Sequence, residues 1–234
     1  MEIRFMEWDS SFFNCQIYLL LQPECGVSLS DLKVQLQQLN ADLVYIISSS
    51  RMEKFENELY QQGGSLKDIK ITYIKHLGET PVNCSPMAED YSGEVNSSLI
   101  KLALEAGQYS RFREDARLSL DFERFYRTWI ENSVNKSIAD KVFTISSENQ
   151  IAGMITCKVE KDEGRIGLIS VDSEQRGLGL GRKLINCVEN FYASQKIYNS
   201  VVATQQANKN ACVFYETCGY HIFKKEYIYH WWIN

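Results

Sequence analysis

At 234 residues the chain is long for one small domain and suits one large or two modest ones. Hydrophobic residues at 44% and charged residues at 24% are an ordinary globular mixture that can bury a core. A net charge of −5 argues against a general nucleic-acid or membrane-surface binder, and no apolar run approaches the roughly 18 residues a membrane helix needs. The opening Met1-Glu2-Ile3-Arg4 does not begin a signal peptide, so cytoplasm is the expected compartment. Cysteines 15, 25, 84, 157, 187, 212 and 218 form no C-x-x-C pair and mostly sit inside apolar patterns, which suits buried, reduced thiols. Histidines 76, 221 and 230 lack metal-ligand spacing, so no metal is expected.

Taken in order, Trp8-Asp9-Ser10-Ser11-Phe12-Phe13 leads into Gln16 to Leu21, a strand ended by Pro23 and Gly26. Ser30 can cap a helix over Asp31 to Leu39, with Leu32, Leu36 and Leu39 on one face. Asp42 to Ser48 reads as a buried strand, Arg51 to Gln61 as a helix stopped by Gly63-Gly64, and Asp68 to His76 as another strand. This alternation describes a small α/β module. From Leu77 to Gly93 the pattern lapses around Pro81 and Pro86, which reads as a linker. We therefore expect an N-terminal α/β module over 1–90 and a second domain over 91–234.

The second half opens with a helical stretch, Asn96 to Ser110, with Leu99, Leu102, Ala103 and Ala106 inward, then the tract Ser110-Arg111-Phe112-Arg113. Asp121 to Asn132 carries Phe122, Phe125, Tyr126 and Trp129 at helical spacing. Lys141 to Ser147, Ile151 to Val159 and Arg165 to Val171 are three strands separated by short turns at Glu148-Asn149 and Lys161 to Gly164, an antiparallel meander. Further on come a strand over Ser200 to Thr204, a helix from Asn208 to Cys218 stopped by Gly219, and a β-prone tail from Tyr220 to Ile233. Trp231 and Trp232 read as packing residues.

Between strand Ile166–Val171 and a helix with Leu184, Ile185, Val188, Phe191 and Tyr192 on one face lies Gln175-Arg176-Gly177-Leu178-Gly179-Leu180-Gly181-Arg182. A glycine-rich turn into a helix N-terminus can hold a phosphate on backbone N–H groups; it can equally be a plain strand-to-helix turn. No hydroxyl follows Gly181, which excludes a Walker loop, and Arg182 stands where a dinucleotide fingerprint needs its last glycine.

The ordered set of helix pair, three antiparallel strands, R-G-x-G-x-G turn, helix, strand, then Asn208-x-x-Ala211-x-x-Phe214-Tyr215-x-x-x-Gly219-Tyr220 resembles the GNAT acetyltransferase family over about residues 95 to 234. The resemblance implies an α/β fold with a mixed, mostly antiparallel sheet flanked by helices, and acetyl-CoA as co-substrate. It implies that the backbone of Arg176, Gly177, Leu178, Gly179, Leu180, Gly181 and Arg182 holds the coenzyme A pyrophosphate. Pantetheine would pair with the strand edge at Ile169, Ser170 and Val171, with Asn208 as a second contact. Tyr215 corresponds to the tyrosine that protonates the departing thiolate; read alone, it is an aromatic packed on a helix face.

A closer similarity narrows the acceptor. Glu105-Ala106, Ser110 to Arg113, Phe125-Tyr126-x-x-Trp129-Ile130-Glu131-Asn132, Arg165 to Ile169, Val202 to Gln205 and the opening Trp8 to Phe13 are similar to acetyltransferases of the TDP-fucosamine type. That implies a small-molecule amine acceptor, a dTDP-linked amino-deoxy sugar used for surface polysaccharide, with no nucleic-acid partner. Arg111 and Arg113 are candidates for its phosphates, or simply an exposed charged turn. Another amine acceptor and a non-catalytic acyl-CoA-binding module remain open. So does a homodimer through the aromatic C-terminal strand. No residue stands out as the general base, and Cys212 and Cys218 lack the matched histidine a nucleophile needs.

Overall fold

The computed structural model describes residues 2–23, 28–51, 53–78, 88–148 and 150–233. Cys25, Gly26, Pro81, Cys84, Pro86 and Asn149, read above as thiols, breaks and a turn residue, lie outside the described residues. The first segment runs β1 (Glu2–Phe5), α1 (Glu7–Phe13), β2 (Ile17–Leu21), α2 (Leu29–Gln38), β3 (Leu43–Ser48), α3 (Glu53–Gln61) and β4 (Gly64–His76). After β5 (Glu89–Asp90) come α4 (Ser97–Ala106), α5 (Arg111–Glu114), α6 (Phe122–Val134), β6 (Lys141–Ser147), β7 (Gln150–Glu160) and β8 (Glu163–Val171). The chain continues through α7 (Leu180–Ser194), β9 (Asn199–Gln205), α8 (Lys209–Thr217) and β10 (His221–Trp232).

Local chemistry sets most boundaries, and some differ from the sequence reading. Ser28, not Ser30, caps α2: its hydroxyl accepts from the Asp31 N–H at 3.2 Å. That register buries Leu29 with Leu32 and Leu36 and leaves Leu39 exposed at the C-terminal end. The stretch Trp8 to Phe13 is itself helical, because Trp8, Phe12 and Phe13 pack their rings against Phe125 of α6. Strand β4 starts at Gly64, earlier than Asp68, since β10 pairs along it from Gly64 to Ile74.

The described strands form one sheet in the order β1-β2-β3-β10-β4-β9-β8-β7-β6-β5. Pairs β2–β3 and β8–β9 are parallel and the others antiparallel. The two halves of the chain exchange strands: β10 lies between β3 and β4, and β4 pairs with β9. Both edges of β10 are therefore occupied from Tyr227 to Trp231, while among the described residues His221 to Glu226 pair with β4 alone. The apolar residues explain this placement, since Tyr229 and Trp231 are fully buried with Leu32, Leu36, Val44 and Ile46.

Alternation along the strands separates the two faces. On one, α7 and α8 bury Leu184, Ile185, Val188, Tyr192 and Tyr215 against Ile71, Ile155, Ile166 and Val202, and α2 and α3 cover β2, β3 and β10. On the other, α4, α5 and α6 bury Leu99, Leu102, Phe112, Phe122, Phe125, Tyr126 and Ile130 against Leu43, Tyr45, Met154 and Leu168. A half-buried ion pair, Lys75 Nζ to both Glu189 carboxylate oxygens at 2.8 and 2.7 Å, ties β4 to α7. No helix among the described residues is long and apolar enough to cross a membrane.

Candidate active site

Strands β8 and β9 pair only from Glu163↔Asn199 to Ile166↔Val202, although β8 runs on to Val171 and β9 to Gln205. Beyond those rungs the two strands diverge, and among the described residues no strand pairs with the β9-facing edge of β8 from Gly167 onward. Main-chain groups along Ile169, Ser170 and Val171 thus face a fork, the arrangement an extended ligand can join as an added strand. A register irregularity between Ile155 and Cys157 marks a bulge in the β7–β8 pairing at the same level. There the Leu168 N–H is turned to the Thr156 hydroxyl at 2.8 Å. A Cβ on Gly167 would come within 2.7 Å of that hydroxyl oxygen, so a glycine lets β8 pass close to Thr156 at the bulge.

The glycine-rich turn lies at the open end of the fork. Gly177 and Gly179 adopt φ of +81° and +76°, a backbone region that side chains disfavour. Gly179 is the N-cap of α7 and no side chain caps it; the first closed backbone bond there runs from the Lys183 N–H to the Gly179 carbonyl at 3.2 Å. The N–H groups of Leu180, Gly181 and Arg182 accordingly have no intrahelical acceptor and are available to an anion. Gly181 lets α7 approach α8, since a Cβ would lie 3.1 Å from the Phe214 ring. Both arginine side chains have protein partners: Arg176 donates to the Val171 carbonyl at 3.0 Å and to Glu105 at 2.8 Å, and Arg182 donates to the Thr217 carbonyl. Leu178 points outward, 63% exposed.

Helix α8 borders the same end. Asn208 caps it, its side-chain oxygen accepting from the Ala211 N–H at 3.1 Å. Tyr215 is buried among Tyr73, Phe214 and Tyr220. Burial, with Cys218 and Cys212 nearby, pushes its phenol above the ordinary tyrosine range, so the group stays protonated at neutral pH. Burial likewise raises the Cys218 thiol and holds Cys157 at about 12, which keeps both from acting as thiolate nucleophiles.

On the opposite face of the sheet the fork opens into a cavity of about 240 Å³. Trp129, Thr72, Thr156, Gly167, Ala203 and three cations, Lys70, Lys158 and Arg165, line it, with Glu160 between the last two at 3.4 and 3.1 Å. Arg111 and Arg113 are absent from this lining. Arg113 is exposed and lies 4.9 Å over the Phe122 ring, while Arg111 lies 3.9 Å over Tyr45 and contacts His230 Nε2 at 3.2 Å. Arginine can only donate, so Nε2 accepts, and the His230 proton must sit on Nδ1, which donates to Asp115 at 2.7 Å. Burial lowers His230 to about 4, so this pair is a neutral imidazole on a carboxylate. Burial works to raise Asp115, but hydrogen bonds from His230, Trp232 and the Arg117 amide outweigh it and hold the carboxyl at about 2.

Four features escaped the sequence reading: the Thr156–Leu168 bulge, the cationic cavity, the Asp115–His230–Arg111 chain and the buried Asp68. Gly167 inside an apolar strand was the one available signal, since an isolated strand glycine marks a bulge or a close approach. Among the described residues no group of three or more His, Cys, Asp or Glu could hold a metal.

Comparison with solved structures finds this fold in a GCN5-related N-acetyltransferase of Sphaerobacter thermophilus, with TM-score 0.61 and 13% identity over 99% of this chain and 76% of that one. An acetyltransferase of the GNAT family from Colwellia psychrerythraea matches with TM-score 0.51 and 11% identity over the whole of both chains. Curated proteins return no match. The sequence model described as Acetyltransferase (GNAT) family matches residues 103–220, half of the chain, and spans α6, the meander, the glycine turn and Tyr215. The chain belongs to the GNAT acetyltransferase family.

Proposed function

We propose that the chain transfers the acetyl group of acetyl-CoA to the amine of a dTDP-linked amino-deoxy sugar. The β8–β9 fork, with the glycine turn at its open end, carries the cofactor half of this reading. Pyrophosphate would sit on the amides from Arg176 to Arg182. Pantetheine would run along Ile169 to Val171, with Asn208 beside it, so the thioester comes to rest near Gly167 and Leu168. Residues 91–234 hold this machinery, and 1–90 form a module whose β4 closes the acceptor side.

The acceptor half rests on the cavity. Lys70, Lys158 and Arg165 suit phosphate oxygens, and the half-buried Trp129 offers a face for a base or sugar ring. Arg113, exposed beside Phe122 and outside the cavity lining, is kept as a second proposed phosphate contact, whereas Arg111 serves as a positioning residue. The neutral amine attacks the acetyl carbonyl; the C–N bond forms, the C–S bond breaks, the thiolate takes the Tyr215 proton, and the proton shed by the adduct's nitrogen restores the phenol through solvent.

Incubation with acetyl-CoA and dTDP-4-amino-4,6-dideoxygalactose should release free thiol, measured with a thiol reagent. Turnover of a polyamine, aminoglycoside or peptide amine with none of any dTDP-amino sugar would move the acceptor to another class. Tyr215→Phe should lower kcat by about 10²-fold and leave the KM for acetyl-CoA within about twofold, measured by steady-state kinetics. An unchanged kcat across pH would remove Tyr215 from the acid role.

A further inference from the structure

Asp68 is a buried carboxylate on β4 that neither the cofactor turn nor the Tyr215 side of the mechanism uses. Strand register fixes where it points. Thr72↔Ala203 and Lys70↔Gln205 are opposed pairs of the β4–β9 ladder, so their side chains share a face, and Thr72, Lys70 and Ala203 line the cavity. Asp68 is the next residue of that row, diagonal to Gln205, whose side chain hydrogen-bonds it. Ala203 stands directly after the last β8–β9 rung, and Gln205 lies about 7 Å further along the strand. The carboxylate therefore follows Lys70 on the face that carries the cavity, just outside the cavity lining.

We infer that Asp68 is the base that takes the proton from the acceptor's ammonium group, directly or through one water. This rests on the acetyltransferase reading above. The acceptor arrives as R–NH₃⁺ and its first proton passes to the Asp68 carboxylate; the freed lone pair attacks the thioester carbonyl, the second proton shed by the adduct's nitrogen makes good, through solvent, the one Tyr215 gives to the thiolate, and the protonated Asp68 returns its proton to solvent after product leaves.

The surroundings suit a base working near neutrality. Burial pushes the carboxyl up to about 7, against the opposing pull of Arg111 and Lys70. The groups facing it are Arg111 from α5, Tyr126 from α6, Lys70 on its own strand and Gln205 from β9. Glu226 of β10 lies 3.7 Å from Lys70, and His230 of β10 holds Arg111. Both cations are thus partly engaged elsewhere, which leaves Asp68 weakly compensated and basic. Arg111 and Gln205 are positioning residues for it.

The test compares wild type with Asp68→Asn and Asp68→Glu, using acetyl-CoA with dTDP-4-amino-4,6-dideoxygalactose, spermidine and a lysine peptide as acceptors. Asp68→Asn is expected to lower kcat by about 10²- to 10⁴-fold at pH 7 and leave acetyl-CoA affinity within about twofold. It should also abolish the acidic limb of the rate profile near pH 7. Its deficit should shrink as pH approaches the amine's own pKa, where no base is needed, and Asp68→Glu should recover part of the rate. A variant with activity within about threefold of wild type, or a deficit constant with pH, overturns the role. A wild type that acetylates none of the three amines overturns the acetyltransferase reading itself, a result distinct from an active wild type with an equally active Asp68→Asn.

Discussion

Asp115→Ala should destabilise the protein by roughly 3–5 kcal/mol, measured by denaturant unfolding at pH 7. The carboxylate accepts from His230 at 2.7 Å, from the Trp232 indole at 3.1 Å and from the Arg117 and Leu118 amides at 3.0 and 3.3 Å. Its loss leaves four donors without their acceptor at a largely buried junction of α5 with β10, and each unmet donor costs about 1–3 kcal/mol before water partly compensates. Arg111 then loses the imidazole orientation that holds it beneath α5.

The same cluster fixes how stability follows pH. His230 is held at about 4, below its ordinary value, so the unfolded chain binds a proton that the folded one refuses. Its contribution is present above about 6.5 and is lost as pH falls toward 4. Asp68, raised to about 7, has the opposite sign: the folded state keeps a proton that the unfolded state releases, and stability is lost as pH rises from about 4 to 7. Across pH 4.5 to 6.5 the two contributions offset each other. Asp68→Asn removes one of them, so that variant should lose roughly 1 kcal/mol per pH unit on acidification through this window, where the wild type changes little.

Replacing both Gly177 and Gly179 with alanine should weaken acetyl-CoA binding by at least about tenfold, or roughly 1.4 kcal/mol, measured by calorimetry. Both glycines have positive φ, and a Cβ at either would meet no protein atom within 4 Å. Any loss in the apo fold thus comes from backbone strain of about 1–2 kcal/mol per site, not from clash. The additional loss in binding reports that the turn must keep its conformation and admit a phosphate close to the backbone. Equal affinities would show that the turn is only a connection.

The parts of this molecule that depend on neighbours in sequence were legible from it. Helix α7 followed from the spacing of Leu184, Ile185, Val188 and Tyr192, and the β6–β8 meander from short turns between alternating runs. The turn at Gly177 and Gly179 needed only its own residues and the helix behind it. What was not legible depends on pairing between distant segments. Asp68 comes beside Gln205, and His230 beside Tyr45, only because β10 enters between β3 and β4 and β4 pairs with β9. The tail Tyr220 to Ile233 declared its strand character, but nothing local in it specified which strands would flank it. Arg111 shows the same limit, since its charged tract gave no sign of the imidazole and phenol ring waiting across the sheet.

The most direct test of the central claim is amide hydrogen exchange with and without acetyl-CoA. The fork predicts added protection at Ile169 to Val171, where pantetheine would pair, and at Arg176 to Arg182, where pyrophosphate would sit. The face lined by Lys70, Lys158 and Arg165 should change little until an acceptor is present. Protection absent from the β8 edge and the glycine turn, or appearing instead around Lys70 and Arg165 with cofactor alone, would contradict the account.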